Sequence, residues 1–351
     1  MIVAIVKIFT ALSISFAVGI LITPILTHYL YKHKMWKKRA RNEALGGGET
    51  PIFNKLHKEK EVGTPRMGGI IIWVSVLLTI LIIWIIAKID PFPAMLRLNF
   101  LSQNQTWLPL FTLISASLVG LIDDLLQVSG QGGYIAGGLA LSKRIFIVLL
   151  IGFITACWFY FKLGTSAISI PFYGNLDFGI MFIPFFMIVM LAIFSGGVID
   201  GIDGLSGGIM ATIFAAYGGI AFAQNQIDLA AFCATIVGGT LAFLWFNIPP
   251  ARFYMTETGM LGLTATLSVV AFLTNAVAVL PIIAFPLLAS SASVIIQYTS
   301  KKLRNGKKVF LVAPIHHHFE AIGWPPAKVV MRYWILSIVF AIMGVALALI
   351  G

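Results

Sequence analysis

Long apolar stretches separated by short polar segments dominate the pattern along this chain of 351 residues. An α-helix of about 20 apolar residues crosses the hydrocarbon core of a bilayer. The strands of a membrane β-barrel would alternate apolar and polar residues instead. Ten stretches have the length of a helical span, approximately 3–31, 67–88, 107–126, 144–163, 177–195, 205–223, 229–248, 259–273, 276–299 and 329–350. The pattern therefore predicts an all-α integral membrane protein with about ten transmembrane helices, forming a single domain over residues 1–351.

Two local features refine this pattern. Thr274-Asn275 interrupts an almost continuous apolar run, so the boundary between the eighth and ninth spans is the least defined. Residues 167–177 predict a short β-hairpin around Gly174-Asn175. The composition agrees with a membrane protein, because 59% of the residues are hydrophobic and only 11% are charged.

Basic residues are distributed unevenly between the two sides that the spans define. Of the 24 Lys and Arg residues, all but four fall in the segments on one side. The four on the other side are Lys7, Lys88, Arg97 and Lys162. Positively charged loops stay in the cytoplasm, so the basic side is predicted to be cytoplasmic and both termini external. The net charge of +11 thus fits anionic lipid headgroups and anionic substrates, and no nucleic-acid partner is expected.

Acidic residues gather at the cytoplasmic ends of several spans. Asp123-Asp124 ends the third span, and Glu257 precedes the eighth. A charged carboxylate at the bilayer centre costs about 2.5–3.5 kcal/mol, and less near the interface. Adjacent residues on a helix point about 100° apart, so one aspartate can face a site while the other supports it. Simple hydration at the membrane edge is the alternative.

A glycine-rich segment carries two further aspartates between the fifth and sixth spans. Asp200 and Asp203 share a face if this segment is helical. One of them serves as the N-cap of the sixth span in the alternative interpretation. A cap explains neither the second aspartate nor the glycines, which allow a backbone to approach a ligand closely. A functional loop is therefore favoured.

Two other segments combine glycine or histidine with polar groups. Gly63-Thr-Pro-Arg-Met-Gly-Gly69 is either a turn with closely packed glycines or a backbone-lined anion site at a helix N-terminus. His316-His317-His318 makes a poor zinc site, because consecutive side chains diverge and cannot ligate one ion. Hydrogen bonds to phosphate or sugar oxygens suit these imidazoles better, and a structural polar loop is the alternative.

These motifs, together with Ala313-Pro-Ile-His-His-His-Phe-Glu320 and Gly323-Trp-Pro325, resemble the phospho-N-acetylmuramoyl-pentapeptide transferases. This family is a branch of the polyprenyl-phosphate N-acetylhexosamine-1-phosphate transferases. The resemblance covers essentially the whole chain. The histidine motif is specific to the branch, whereas the paired aspartates are shared across the superfamily.

The resemblance implies an enzyme that joins UDP-MurNAc-pentapeptide and undecaprenyl phosphate to give lipid I and UMP, with Mg²⁺ as cofactor. It implies a multi-pass protein of the bacterial cytoplasmic membrane whose active site faces the cytoplasm. A homodimer is left open.

The resemblance also assigns roles to individual residues. Catalysis is assigned to polar residues at the cytoplasmic edge: Asp123, Asp124, Lys143, His316, His317 and His318. Substrate binding is assigned to Asp200, Asp203 and Asn247. Apart from the resemblance, Thr64 is predicted to bind substrate, and Lys58 and Lys60 are predicted to help by neutralising its charge. The metal is assigned to Glu257 and Asp124.

Three positions depart from the family pattern. Gln127 stands where the family usually has lysine, Gly197 stands where asparagine usually precedes the acidic loop, and Glu257 replaces the metal-binding aspartate. Glutamate still offers oxygen ligands to Mg²⁺, but its extra methylene shifts the carboxylate. These departures bear on rate and donor preference more than on the class of reaction.

A phosphate monoester is mostly dianionic at pH 7, so the lipid acceptor gains little from a general base. We therefore expect direct in-line attack on the β-phosphorus of the donor, with Asp123 positioning or polarising the reactants. Two rival functions are a sister UDP-GlcNAc transferase, disfavoured by the triple histidine, and an ion-coupled transporter. Transport sites usually lie near the membrane midplane, whereas these acidic residues lie at span ends.

Overall fold

The computed structural model describes residues 1–38, 62–89, 98–102, 105–130 and 137–351, and these residues contain twelve α-helices. The helices are α1 (Ile2–Lys32), α2 (Ile70–Ile89), α3 (Trp107–Ser129), α4 (Leu141–Cys157), α5 (Phe182–Ser195), α6 (Leu205–Ala223), α7 (Ile227–Asn247), α8 (Thr256–Leu273), α9 (Leu280–Ile283), α10 (Phe285–Leu303), α11 (Ile315–Ala321) and α12 (Pro326–Ile350). A π-helical turn (Trp158–Lys162) continues α4, and short 3₁₀ turns flank α5 and precede α9.

Within these described ranges, nine helical segments are long and apolar enough to cross a membrane. They coincide with nine of the ten apolar stretches in the sequence. The remaining stretch forms a pair of helical segments, Val277–Ile283 and Phe285–Leu303, that are bent by 78° relative to each other. Counted as one broken span, the pair brings the total to ten. The predicted all-α, multi-span architecture is thus confirmed, with one span broken.

Local sequence explains where the eighth and ninth stretches separate. Thr274 is the C-cap of α8, and Asn275 follows with a positive φ of 49°. Pro286 lies at the start of α10 and has no N–H to continue the hydrogen-bond ladder from α9. The interruption at Thr274-Asn275 is therefore a helix end, and the proline accounts for the break inside the ninth stretch.

The centre of the protein is formed by α7 and α8, which are the most buried of the spans. Helix α7 packs against α1, α2 and α6, and α8 packs against α3 and α5. Two buried hydroxyls on α8 donate within the helix, Thr264 Oγ1 to the carbonyl of Met260 and Ser268 Oγ to that of Thr264. Such bonds help a helix of modest hydropathy to occupy the interior.

The predicted hairpin is present, but its turn lies earlier than expected. Strand β1 (Ala167–Ile170) pairs antiparallel with β2 (Gly174–Asp177), and Ile170 is opposite Gly174. Gly174 and Asn175 therefore begin β2 and do not form the turn. Phe172 adopts a positive φ of 65°, and the Tyr173 N–H donates to the carbonyl of Ile170. The turn is therefore a three-residue loop, residues 171–173, which ends immediately before Gly174.

Candidate active site

Asp124 lies on α3, and its side chain is completely buried. It accepts hydrogen bonds from the Thr256 hydroxyl (2.6 Å) and the Thr258 N–H (2.9 Å). The guanidinium of Arg66 lies 3.4 Å away. Because Asp124 is buried and held by protein donors, simple hydration at the membrane edge is the wrong interpretation for this pair.

Asp123 is also buried and faces a different set of donors, as expected for the next residue on a helix. It accepts hydrogen bonds from Gln127 Nε2 (2.7 Å), one helical turn later, and from the Leu139 N–H. Arg144 Nη2 lies 3.0 Å from the same carboxylate. Three donors therefore fix the Asp123 carboxylate.

Arg144 joins Asp123 to Glu257, since its Nη1 atom lies 2.6 Å from Glu257 Oε1. The neighbouring Lys143, predicted as a catalytic residue, has an exposed side chain. Both residues lie in the first turn of α4, where consecutive side chains point about 100° apart. Arg144, and not Lys143, therefore contacts the carboxylates. The sequence pair Lys143-Arg144 indicates a basic side chain at this position but does not tell which of the two faces inward.

Close helix packing sets the position of Glu257. Gly120 on α3 contacts the backbone of Glu257 and Thr258, and a Cβ atom at residue 120 would overlap the Glu257 carbonyl. Glycine therefore lets α3 approach the N-terminus of α8. The Glu257 side chain remains 28% exposed, which leaves it accessible from outside the protein.

The acidic loop follows a 3₁₀ turn at Gly196–Ile199. Asp200 accepts hydrogen bonds from the Ser206 hydroxyl (2.7 Å) and the Thr256 N–H (2.8 Å). Burial raises the pKa of the Asp200 carboxyl, and these two hydrogen bonds oppose that effect.

The N-cap of α6 is Gly204, which has a φ of 80°, so neither aspartate caps this helix. The N-cap interpretation is therefore wrong. Asp203 instead accepts a hydrogen bond from the Ala251 N–H (3.3 Å). Asn247, at the end of α7, accepts from the Gly204 N–H (2.9 Å) and donates to the Phe253 carbonyl (2.8 Å). The Asn247 amide thus ties the acidic loop to the segment before α8.

The three histidines do not act as a unit. A Cβ atom at Gly201 would lie 2.7 Å from His316 Nε2 and 2.6 Å from His317 Nε2, so both rings press on the acidic loop. His317 Nδ1 lies 2.6 Å from Glu320 Oε2. His318 turns away, and its Nδ1 atom accepts a hydrogen bond from the Leu311 N–H (3.2 Å). The structure thus brings two histidines to the acidic loop and places the third against its own segment.

Backbone N–H groups at the end of the Gly63–Gly69 segment already donate hydrogen bonds within the protein. The N–H groups of Met67, Gly68 and Gly69 donate to Thr256 Oγ1, the Tyr254 carbonyl and the Met255 carbonyl. The anion-site interpretation of these N–H groups is therefore wrong, and the glycines instead allow close packing, as the other interpretation held.

Other residues of this region have separate positions. Arg66, whose role no motif in the sequence indicates, extends from the Gly63–Gly69 segment toward Asp124. Thr64 is partly exposed, while Lys58 and Lys60 lie outside the described residues.

A cavity of about 360 Å³ lies beside the acidic loop. Its walls include Arg66, Asp200, Asp203, Tyr254 and Glu320. The acidic loop, the segment before α8, the histidine segment and the start of α12 therefore surround one space.

The carboxylates at this end of the protein suit a hard cation. In the part of the chain that the structure describes, no three Asp, Glu, His or Cys side chains are grouped closely enough to hold a metal ion alone. Mg²⁺ usually takes only one or two carboxylates from a protein and completes its shell with water and substrate phosphates. The Glu257 carboxylate is partly exposed and fits such a shared site. Asp124 is completely buried, and only its Oδ1 atom, 3.4 Å from Arg66, is left to face a cation.

Comparisons with known proteins give the family context. Residues 106–275 match the model of glycosyl transferase family 4. The chain is 33% identical to the phospho-N-acetylmuramoyl-pentapeptide-transferase of Chloroflexus aurantiacus over 90% of this chain and 85% of the relative. It is 33% identical to the enzyme of the same name from a Geobacillus species, over 95% and 96%. It is 32% identical to that of Clostridium perfringens, over 97% and 98%.

Proposed function

The chain belongs to the phospho-N-acetylmuramoyl-pentapeptide-transferase family, and from this membership we propose the reaction that it catalyses. It transfers phospho-MurNAc-pentapeptide from UDP-MurNAc-pentapeptide to undecaprenyl phosphate, which yields lipid I and UMP for peptidoglycan synthesis. The observation that carries the proposal is the convergence of Asp123, Asp124, Asp200 and the histidine segment at one end of the helices.

The donor binds in the cavity beside the acidic loop. The diphosphate of the donor binds to Arg66, which lines this cavity. The buried Nε atom of Arg66 has no hydrogen-bond partner among the described residues. A guanidinium is well suited to phosphate oxygens because its donors form a planar fork. His316 and His317 contact the same loop and supply ring nitrogens for sugar or phosphate oxygens. Asp203 and Asn247 line the cavity and set its shape for the nucleotide.

Asp123 acts as a positioning group. Its oxygens accept hydrogen bonds or ion-pair contacts from Gln127, Leu139 and Arg144, which hold the carboxylate in one orientation and occupy its lone pairs. The lipid phosphate is already dianionic at pH 7, because the second pKa of a phosphate monoester is about 6. Its oxygen forms a bond with the β-phosphorus of the donor, and the bond from that phosphorus to the bridging oxygen breaks. The electron pair leaves with UMP.

Glu257 and Asp124 would hold a Mg²⁺ ion. When bound, the ion would supply positive charge beside the phosphates of the substrates. Arg144 keeps the Glu257 carboxylate aligned with Asp123, and Arg66 balances the charge of Asp124.

We also propose that the protein spans the cytoplasmic membrane of a bacterium and that its active site faces the cytoplasm. Most Lys and Arg residues belong to the segments of the sequence that the positive-inside rule assigns to the cytoplasmic side, together with the site residues. A UDP-linked donor is charged and water-soluble, so it reaches the site from that side, while the lipid acceptor arrives within the bilayer.

Release of UMP by the purified protein tests this function. With undecaprenyl phosphate and Mg²⁺ present, UDP-MurNAc-pentapeptide is expected to give UMP, and removal of Mg²⁺ is expected to stop the reaction. Release from UDP-GlcNAc alone would support the sister transferase, which the names of the relatives do not favour. Absence of UMP from both donors would overturn the enzyme proposal and favour a transporter.

A further inference from the structure

We propose that Thr256 is a positioning residue that couples the aspartate pair to the acidic loop, its hydroxyl orienting Asp124 and its backbone N–H orienting Asp200. This inference rests on the proposed transferase reaction. It assigns two separate tasks to two groups of one residue, so substitution of the side chain should affect only one of them.

Thr256 contacts three segments that are far apart in sequence. Its hydroxyl donates to Asp124 Oδ2 (2.6 Å) on α3 and accepts from the Met67 N–H (3.1 Å) before α2. Its own N–H donates to Asp200 Oδ2 (2.8 Å). A hydroxyl has one proton to donate, and this one is given to a fully buried carboxylate.

The backbone of Thr256 supports a functional role for these contacts. Its φ is +58°, in the left-handed region. A β-branched residue is disfavoured there, and such a conformation persists only where the surroundings determine it. Three hydrogen bonds to three separate segments provide that determination.

Asp124 depends on few groups for its orientation. Besides the Thr256 hydroxyl, it contacts the Thr258 N–H at 2.9 Å and Arg66 at the longer distance of 3.4 Å. Loss of the hydroxyl would leave the carboxylate with one short hydrogen bond. Asp200 would keep its bond from the Thr256 N–H, which a side-chain substitution does not remove. The side chain is therefore expected to control turnover, and the backbone to control binding of the donor.

The test compares Thr256→Val, Thr256→Ser and the control Thr264→Val in the full-length protein. Valine has the shape of threonine and is also β-branched, so it removes the hydroxyl without relieving the backbone strain. Serine keeps the hydroxyl. Thr264 is a buried threonine of the same helix, and its hydroxyl bonds to the carbonyls of Met260 and Leu261 within α8. The kcat and the KM for UDP-MurNAc-pentapeptide are measured by UMP release, with thermal stability recorded for each variant.

Thr256→Val is expected to lower kcat by about 10- to 100-fold, as for loss of a hydrogen bond to a buried charged group, with little change in KM. Thr256→Ser is expected to retain most of the activity, and Thr264→Val all of it. A kcat unchanged in Thr256→Val, or lowered as far in Thr256→Ser, would overturn the inference. An equal loss in Thr264→Val would also overturn it.

Failure of the Thr256→Val variant to fold and failure of the proposed function can be distinguished from failure of this inference. If Thr256→Val does not fold, Thr256→Gly removes both the hydroxyl and the penalty of the positive φ, and the same loss of kcat is expected from it. A wild-type protein that releases no UMP would refute the proposed function before any variant is compared.

Discussion

Replacement of Arg144 by glutamine should separate its role from that of Lys143. Arg144 lies 2.6 Å from Glu257 and 3.0 Å from Asp123, and its side chain is only 14% exposed. Removing one partner of a buried ion pair costs about 3–5 kcal/mol. We use the lower end, about 3 kcal/mol, because Glu257 is 28% exposed and solvent screens part of its charge. If the loss falls on the transition state, kcat drops about 100-fold.

The assay is UMP release with saturating donor and acceptor over a range of Mg²⁺ concentrations. Lys143→Gln is the matched variant, because it removes the same charge one residue earlier from an exposed side chain. Its activity should change by no more than about twofold, as is usual for surface substitutions. An equal or larger loss in Lys143→Gln would refute the geometric reasoning, and so would an Arg144→Gln variant with normal kcat.

Three other substitutions, with Gly197→Ala as a control for the first, test the surrounding groups. Gly201→Ala should raise the donor KM about tenfold or more, because its Cβ would lie 2.6 Å from His317 Nε2, whereas Gly197→Ala, with its nearest atom at 3.9 Å, should be tolerated. Asp123→Asn should lower kcat only about 3- to 10-fold if the carboxylate positions the reactants, since the amide keeps an acceptor oxygen; near-total loss with intact binding of donor and metal would restore the base or nucleophile role. Glu320→Gln should raise the donor KM about tenfold by weakening the 2.6 Å contact that orients His317, and an unchanged KM would count against donor binding by that ring.

The spans were predictable from the sequence because membrane insertion imposes a length and an apolar composition that can be counted directly. The order of polar residues along the chain also predicts that Asp123, Asp200 and the histidine segment meet at one end, since consecutive spans alternate in direction. The bend of 78° in the ninth stretch was not predictable from hydropathy, which is indifferent to a break between two apolar segments. Pro286 was the available signal.

The side-chain partners in the site were less predictable. Asp200 and Asp203 would share a face only if their segment were helical, but the 3₁₀ turn ends at Ile199 and both aspartates lie in the turn that follows. Arg66 and Thr256 were missed because their roles come from contacts with residues 58 and 132 positions away, respectively. No periodic pattern records contacts at such separations. The spacing of a motif thus locates a site, whereas tertiary packing decides which of its residues face each other.

Two of the three residues that depart from the family pattern, Gln127 and Glu257, are connected in the structure through Asp123 and Arg144. Where lysine is usual, Gln127 gives Asp123 a neutral hydrogen-bond donor, so the positive charge beside this carboxylate comes from Arg144. The same guanidinium contacts Glu257 at 2.6 Å. Three carboxylates, Asp123, Asp124 and Glu257, therefore face two guanidinium groups, and the substrates add further phosphate charges. Among the described residues, these two arginines alone do not offset the negative charge of the assembled site, which supports the Mg²⁺ proposed above.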